Sequence, residues 1–540
     1  MVDARMNSKI ISGSFWLSFG SIFSRVLGIV YLIPWLAMLG SPSHQTTAQA
    51  IFNSAYTPYA LFISLGTAGF PSAIARRVAY YNGQGKPLSA KRVTQTGFVI
   101  MLLSGIICGI LLYTFAPLLA ASSPVKSTCD ATLAIRALVP AIVILPSMSA
   151  LRGWFQGNGD LKPYGLSQLW EQLVRVIVIL AGTYLIIEVL HQNYIQAVYV
   201  SVAAAFFGAV FSYGYLLVRL IRQRRGAPAV AASTEKPSVS QLGKTLLMIS
   251  YESIPFVIVG SGITLCQLVD QLFFKQILVG SLHLSAGYTQ YLYTIFSANP
   301  NKITTVVISL AMAVSESSLP LISGKLSSVK TSYKSIEKLI TDNLKLLLVT
   351  LLPMVIMISA LSYPIYGVFF NFDNLGAHYL VYNVIQSFVL GLGIDVLTLM
   401  QSLRMSKLAT VTLLVGLGVK LLLQWPLVYA LQGLGAIIAT TIAFGIVILM
   451  GLHFICRYYR LHLRELWSIV RLNLIFAVIL LAATFLLSHL LTAVASKILA
   501  LLLAAVLGLI YVAVYVVLAN ATGVAEKVFG QRIGLSMLHR

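Results

Sequence analysis

The sequence predicts an all-α polytopic membrane protein with about fourteen transmembrane helices. Three observations support this prediction: 58% of the 540 residues are hydrophobic, 10% are charged, and the mean hydropathy is +0.88. Soluble domains carry about 25% charged residues, so the class of soluble globular proteins is excluded. A lipid bilayer is the solvent that matches this composition.

A helix needs about twenty mostly apolar residues to cross the hydrocarbon core. The run that follows Lys9 is too long for a signal peptide and no small-residue cleavage site follows it, so we interpret it as a retained first helix. Apolar runs predict helices at residues 10–39, 48–75, 93–120, 130–151, 164–190, 195–218, 245–280, 286–323, 335–361, 377–403, 408–430, 433–456, 466–490 and 496–519.

The basic residues predict the orientation of these helices. If the N-terminus is cytoplasmic, alternate connections and the two termini together hold 28 of the 37 Lys and Arg residues, including Arg152 and Lys162 between helices 4 and 5. The opposite connections hold only Lys126, Lys275 and Lys497. Since cytoplasmic loops are enriched in Lys and Arg, we expect a multi-pass protein of the cytoplasmic membrane with both termini in the cytoplasm. The net charge of +22 then reflects topology and anionic lipid, and no nucleic-acid partner is expected.

The longest polar interruption, rich in Ala, Pro and Ser, predicts a flexible linker and divides the helices into six and eight. A weak repeat crosses it: Ser64-Leu65-Gly66 in helix 2 resembles Ser309-Leu310-Ala311 in helix 8. It indicates a parallel repeat of two six-helix lobes related by a pseudo-two-fold axis, with chance similarity between apolar helices as the alternative. The predicted parts are an N-lobe (1–222), a cytoplasmic linker (223–244), a C-lobe (245–457), and helices 13 and 14 with the tail (458–540).

Charged side chains at membrane depth are the candidate functional residues. A centred Arg or Lys costs about 2.5–3.5 kcal/mol on insertion scales, so such residues usually face a cavity or a partner. The basic members are Arg25, Arg136, Arg175, Lys302, Lys345 and Lys420, and the acidic members are Glu171, Glu252, Asp270, Glu316 and Asp395. Lys345, Lys420, Glu316 and Asp395 receive no role.

Arg25 lies about halfway along helix 1. It either pairs with an acid on another helix or binds an anionic headgroup, for which the planar guanidinium fork is well suited. Glu171 and Arg175 are spaced i,i+4, which favours a local structural ion pair on helix 5.

Asp270 and Lys302 each allow two interpretations. Asp270, in the outer part of helix 7, either binds a coupling cation or neutralises a base. Lys302 follows Pro300, whose missing N–H predicts a bend in helix 8 and freed carbonyls. That arrangement indicates either a gate or binding point beside the cation, or a plain kink with a snorkelling lysine.

No arrangement typical of an enzyme is present. The sequence has no Gly-rich phosphate loop followed by Lys-Ser/Thr, no His-Glu-x-x-His motif and no paired Asp-rich motif. Its four cysteines are far apart, without disulfide or metal-ligand spacing. We therefore expect neither catalysis nor a bound cofactor nor a structural metal.

Several segments resemble the MurJ lipid II flippases. Ser24–Gly28 (Ser-Arg-Val-Leu-Gly) is similar to a helix 1 segment of that family. The stretches from Ile135 to Leu138, Leu151–Gly157, Ser167–Val176 and Gln267–Asp270 resemble the Gram-positive YtgP/SpoVB-like branch. In Gram-negative members further arginines occupy positions that hold Tyr31, Phe62 and Ile63 here, and their helix 8 arginine falls near Asn301, where Lys302 can substitute.

The resemblance implies the multidrug/oligosaccharidyl-lipid/polysaccharide (MOP) exporter fold. Two lobes would enclose a central cationic cavity, and the last two helices would form a groove for a lipid tail. It implies a monomeric flippase for lipid II, working by alternating access among membrane lipids. Arg25 and Lys302 would bind the pyrophosphate, with Arg136 and Arg175 as secondary bases. Asp270 and Glu171 would balance charge or couple transport to Na⁺, H⁺ or the membrane potential.

Three rival functions follow from the same sequence. The first is a flippase for another lipid-linked glycan, such as an exopolysaccharide or sporulation precursor. The second is a cation-coupled multidrug exporter, for which twelve helices and an acidic pocket would be expected. The third is a membrane glycosyltransferase, which should show a large outer loop or paired carboxylates, and neither is found.

Overall fold

The computed structural model describes residues 20, 23–67, 70–226, 254–327, 333–461, 463–529 and 531–532. The described residues are overwhelmingly helical and include no β-strand. They form two compact units. The first comprises the described residues up to Val279 together with Leu284–Gln290, and the second comprises Gly280–His283 and the described residues from Tyr291 onward.

The described residues of the first unit form nine helices, together with a further helical segment at residues 254–260. Two π-helical segments, Leu185–Val189 and Gln276–Ser281, extend the seventh and the ninth helix. The helices are α1 (Phe23–Met38), α2 (Pro42–Thr67), α3 (Phe70–Gly83), α4 (Pro87–Ser122), α5 (Thr128–Ala137), α6 (Val139–Gly157), α7 (Leu161–Tyr184), α8 (Tyr194–Gly226) and α9 (Gly262–Lys275).

Helix α10 (Ala286–Tyr293) contains the boundary between the units and continues as the π-helical segment Thr294–Ala298. The helices of the second unit are α11 (Asn299–Ser327), α12 (Tyr333–Ala360), α13 (Ser362–Phe369), α14 (Asn374–Ser402), α15 (Ser406–Tyr458), α16 (Leu463–Leu486), α17 (Ser488–Ala493), α18 (Lys497–Ala521) and α19 (Val524–Phe529).

All predicted helices overlap helices of the structure, and the all-α membrane fold is confirmed. Eleven stretches of the described chain are long and apolar enough to cross a membrane. One of them, α15, is two helices, because Gln432 has non-helical angles of φ 53° and ψ −126° at the predicted junction. Helix α2 is not among the eleven, and it buries polar residues such as Gln49 and Asn53. The total of fourteen transmembrane helices stays a prediction.

Lipid-facing and buried helices differ clearly in exposure. In the most apolar 18-residue stretch of α18 only 6% is buried, whereas 61% is buried in the corresponding stretch of α14. On α16, Phe485 and Leu486 are about four-fifths exposed, at 81% and 79%. Exposure of apolar side chains to this extent is compatible only with a lipid environment. The chain is therefore a multi-pass membrane protein, with α16 and α18 at the periphery of the second unit.

Two of the sequence predictions fall outside the described residues. The predicted linker lies almost wholly in residues 227–253, so the division of the chain at 223–244 stays a prediction. Glu252 lies in the same stretch.

Candidate functional site

A partly buried charge cluster lies inside the first unit, between α6 and α7. Glu171 accepts hydrogen bonds on both carboxylate oxygens: Oε1 from Arg175 Nη2 and Oε2 from Arg152 Nη2, each at 2.9 Å. The side chains of Arg152, Glu171 and Arg175 are 12%, 17% and 19% exposed. The predicted i,i+4 pair is confirmed, and a second guanidinium joins it. We call these three residues the arginine cluster.

The expected position of Arg152 in a loop between two helices is wrong. Helix α6 continues to Gly157, beyond the predicted end at residue 151, so Arg152 lies within the helix. Its Nε donates to Ser167 Oγ at 2.9 Å, and its Nη2 lies 3.3 Å from Ser212 Oγ. The apolar and aromatic residues that follow it, Trp154 and Phe155, were the sequence signal that the helix continues.

Helix α8 closes the cluster from another side. A Cβ added to Gly208 would collide with the carbonyl oxygen of Glu171 and would lie 3.4 Å from Arg175 Cβ. Ser212, one turn later, donates to the carbonyl of Ser167 at 2.8 Å. Because small residues let membrane helices approach closely, Gly208 allows the backbone of α8 to lie directly against the charged segment of α7.

Helix α1 brings Arg25 to the same segment of α7. A Cβ on Gly20 would contact the carbonyl oxygen of Gly165, and one on Gly28 would lie 3.4 Å from Gln172 Nε2. Arg25 lies between these two glycines, and Glu171 lies between their two partners. The half-buried Arg25 is therefore on the part of the first helix that runs along the arginine cluster.

The surroundings of Arg175 are polar although they are buried. The buried residues Tyr31, Tyr56 and Tyr59 lie in the neighbourhood of its guanidinium. Arg175 Nε has no hydrogen-bond partner among the described residues. Gln49 and Tyr56 are spaced i,i+7 and therefore lie on the same face of α2. Neither amide atom of Gln49 forms a hydrogen bond with a described residue. An unused N–H of a guanidinium group can bind a phosphate oxygen or water.

The structure does not bring Arg136 into the arginine cluster. Its guanidinium carbon lies 4.3 Å from the centre of the Tyr113 ring on α4, a cation–π distance. Arg136 is also in the last turn of α5, where the helix dipole stabilises a positive charge. No described contact connects it with Glu171 or Arg175.

Asp270 lies on α9 within the first unit and is only 9% exposed. The next residue, Gln271, donates from Nε2 to the carbonyl of Ser54 at 2.8 Å and to Ser123 Oγ at 2.7 Å. These bonds fix α9 to α2 and to the end of α4. Sequence reasoning selected Asp270 and missed the amide beside it, whose role depends on partners far away in the chain.

Lys302 belongs to the second unit, where the effect of Pro300 is visible. Proline has no N–H to donate to the carbonyl four residues earlier, and here that carbonyl, of Phe296, accepts from Asn383 Nδ2 at 2.8 Å. The backbone before Pro300 is π-helical over Thr294–Ala298. The predicted freed carbonyl therefore exists but is used by α14, and a contact of Lys302 with substrate stays a prediction.

Three charged residues that received no role have structural partners in the second unit. Asp395, 0% exposed, accepts from Ser315 Oγ at 2.6 Å and from Asn343 Nδ2 at 2.9 and 2.8 Å. Lys420, also 0% exposed, donates to the carbonyl of Ala436 at 2.9 Å. Lys345 pairs with Asp342 and Glu465. In the described part of the chain no group of three His, Cys, Asp or Glu residues could hold a metal ion.

Comparison with known families decides what kind of membrane protein carries this site. The model of the polysaccharide biosynthesis protein family matches residues 10–326, more than half of the chain. The chain belongs to this family.

Relatives and solved structures agree with that family. The chain is 29% identical to the lipid II flippase MurJ of Bacillus subtilis (strain 168) over 546 aligned positions, covering 98% of both proteins. It is similar to a structure of lipid II flippase MurJ in an inward closed conformation, with a TM-score of 0.63, 16% identity, and coverage of 92% and 98%. An inward-facing MATE family transporter of the MOP superfamily matches with a TM-score of 0.54, 14% identity, and coverage of 80% and 95%.

These comparisons confirm the resemblance to MurJ-type proteins and the MOP fold. The polysaccharide biosynthesis family and the arginine cluster are consistent with each other. Two guanidinium groups that share one carboxylate leave a net positive charge, and phosphate groups bind preferentially to such arginines. The site has the chemistry to hold an anion inside a membrane-spanning bundle.

Proposed function

We propose that the protein is a lipid II flippase, which moves the undecaprenyl-pyrophosphate-linked peptidoglycan precursor across the cytoplasmic membrane. The observation that carries this proposal is the similarity to the lipid II flippase of Bacillus subtilis along 98% of both chains. An alignment of that extent covers nearly the whole chain, and local similarity between apolar segments does not produce it.

The residues have distinct parts in the proposed cycle. Arg25 and Lys302 bind the pyrophosphate, and Arg175 and Arg136 are secondary bases. Glu171 and Asp270 balance charge or couple the cycle to Na⁺, H⁺ or the membrane potential. The closeness of Arg25 to the segment that carries Glu171 and Arg175 supports a common anion-binding region in the first unit.

Transport in this proposal is alternating access without covalent chemistry. The headgroup passes between two lobes while both termini stay in the cytoplasm, and the functional unit is a monomer. The alternating distribution of basic residues supports this orientation.

A second candidate is a flippase for a different lipid-linked glycan. It is favoured by the description of the matched family, which refers to polysaccharide biosynthesis in general. The same anionic headgroup chemistry would serve both substrates, because both carry phosphate next to a sugar.

The test is rescue of a bacterium depleted of its own lipid II flippase. We expect wild type to restore growth and Arg25→Ala to fail at equal membrane abundance, while the matched control Arg222→Ala, at an exposed position of α8, rescues. Failure of well-expressed wild type would refute lipid II transport and favour the second candidate. Rescue by Arg25→Ala would remove Arg25 from the site.

A further inference from the structure

The second unit contains a cavity of about 770 Å³ that is separate from the arginine cluster. Its lining comes from the beginning of α12, the beginning of α16 and the short helix α19. The residues include seven charged side chains, together with Ser468, Ile469 and Val528. No role assigned so far uses this cavity.

The three acidic residues of the cavity already have basic partners. Lys345 Nζ lies 3.2 Å from Asp342 Oδ1 and also pairs with Glu465. Glu526 Oε1 accepts from Arg532 Nε at 2.6 Å. Arg532 balances the charge of Glu526, whereas Asp342 and Glu465 share one lysine and keep one negative charge between them.

The other three basic residues of the cavity have no such partner. Lys338, Arg464 and Lys527 are exposed, and within the described chain none of them forms an ion pair. They come from three different helices and line one cavity. Together with the ion pairs of its acidic residues, these three bases give the cavity a net positive charge, which attracts an anion.

The cavity is at the end of the bundle where a ligand can enter from water or from the lipid headgroups. Lys338, Arg464 and Lys527 precede or follow the apolar cores of α12, α16 and α18 and belong to the predicted cytoplasmic set of basic residues. Ile469 and Val528, on its apolar side, adjoin a cluster that includes Leu472 and Ala525. Basic pockets between helices on this side of a membrane are typical sites for anionic lipid headgroups.

We propose that this cavity binds an anionic phosphate group, with Lys338, Arg464 and Lys527 as its three contacts. Arginine provides paired N–H donors to two phosphate oxygens, and the two lysines provide point charges for the remaining oxygens. The phosphate belongs either to an anionic phospholipid of the cytoplasmic leaflet or to a soluble phosphate ester. This site does not depend on the transported substrate.

The experiment uses the purified full-length protein in a neutral detergent. Phosphatidylglycerol, zwitterionic phosphatidylcholine and glycerol 3-phosphate are added separately, and binding is measured by native mass spectrometry and by the shift of the thermal unfolding midpoint. The test variant is K338A/R464A/K527A, and the matched control is R76A/K91A/R222A, which removes the same charge from exposed positions outside the cavity. The charge-conserving variant K338R/R464K/K527R separates loss of charge from loss of fold.

We expect phosphatidylglycerol to bind wild type and the control variant, and binding to weaken at least about tenfold in the test variant. The charge-conserving variant should retain most of the binding. Binding of glycerol 3-phosphate with the same dependence would assign the site to soluble phosphate esters, whereas binding of phosphatidylglycerol alone would assign it to lipid. Equal weakening in the test and control variants, or no selective binding to wild type, would overturn the proposal.

Discussion

Glu171 is the single residue on which the arginine cluster depends. Two guanidinium groups share its carboxylate inside an apolar bundle. Removing one member of a buried ion pair costs about 3–5 kcal/mol, because the remaining charge stays buried without a partner. Here one substitution would leave two such charges.

We therefore expect Glu171→Gln to lower the free energy of unfolding by about 3 kcal/mol or more. The control is Glu188→Gln near the C-terminal end of the same helical span, where the side chain is exposed and the change should be below about 0.5 kcal/mol. Unfolding by denaturant in detergent micelles measures both. Equal effects of the two substitutions would contradict the structural role of Glu171.

A second residue-level prediction concerns Asp395, which Ser315 and Asn343 solvate in the absence of a described basic partner. Asn343→Leu removes both amide contacts and should cost about 2–3 kcal/mol, since hydrogen bonds to charged groups are worth about that much. Asn343→Leu combined with Asp395→Leu should cost less than the single change, because no buried acid is then left unsolvated. A double variant less stable than the single one would refute this account.

At the scale of elements, helix positions were predictable and helix contacts were not. Twenty-residue apolar runs are a local property, so the spans could be found from the sequence alone. Pro300 likewise signalled an irregular helix, because its effect is on its own backbone. The partner of the freed carbonyl, Asn383, lies 87 positions after Phe296, and nothing local identifies it.

The irregular segment before Pro300 gives a test by a double-mutant cycle. Asn383→Leu should cost about 1–3 kcal/mol, because the carbonyl of Phe296 then has no donor. In a Pro300→Ala background the restored N–H can reach that carbonyl, so the same substitution should cost less than about 1 kcal/mol. The free energies of unfolding of the four proteins give the coupling. Equal costs in both backgrounds would contradict the explanation.

In the arginine cluster, too, the contact within one helix was predictable and the contacts between helices were not. The i,i+4 spacing of Glu171 and Arg175 could be read from one helix. Arg152 was assigned to a loop because its charge, at the end of an apolar run, resembles the loop residues that set topology. Only the packing of α6 against α7 and α8 shows that its charge is used inside the bundle.

For the whole molecule, composition and charge distribution predict a membrane protein and its orientation. The native cysteines can test the orientation, since Cys129 is exposed next to the predicted outer loop and Cys108 and Cys266 are buried. In C456S, a membrane-impermeant thiol reagent should label Cys129 in intact cells. In C129S/C456S/K407C, labelling should require permeabilisation, because residue 407 is predicted to be cytoplasmic. The reverse pattern would invert the topology.

The most direct test of the central claim is translocation of fluorescent lipid II in vesicles that contain the purified protein. We predict that wild type moves lipid II faster than protein-free vesicles and leaves fluorescent phosphatidylcholine unmoved. Arg25→Ala should be slower by about tenfold or more, as expected for the loss of a charge-assisted contact. Absence of lipid II movement by correctly folded wild-type protein, under every ion gradient and membrane potential applied, would contradict the account.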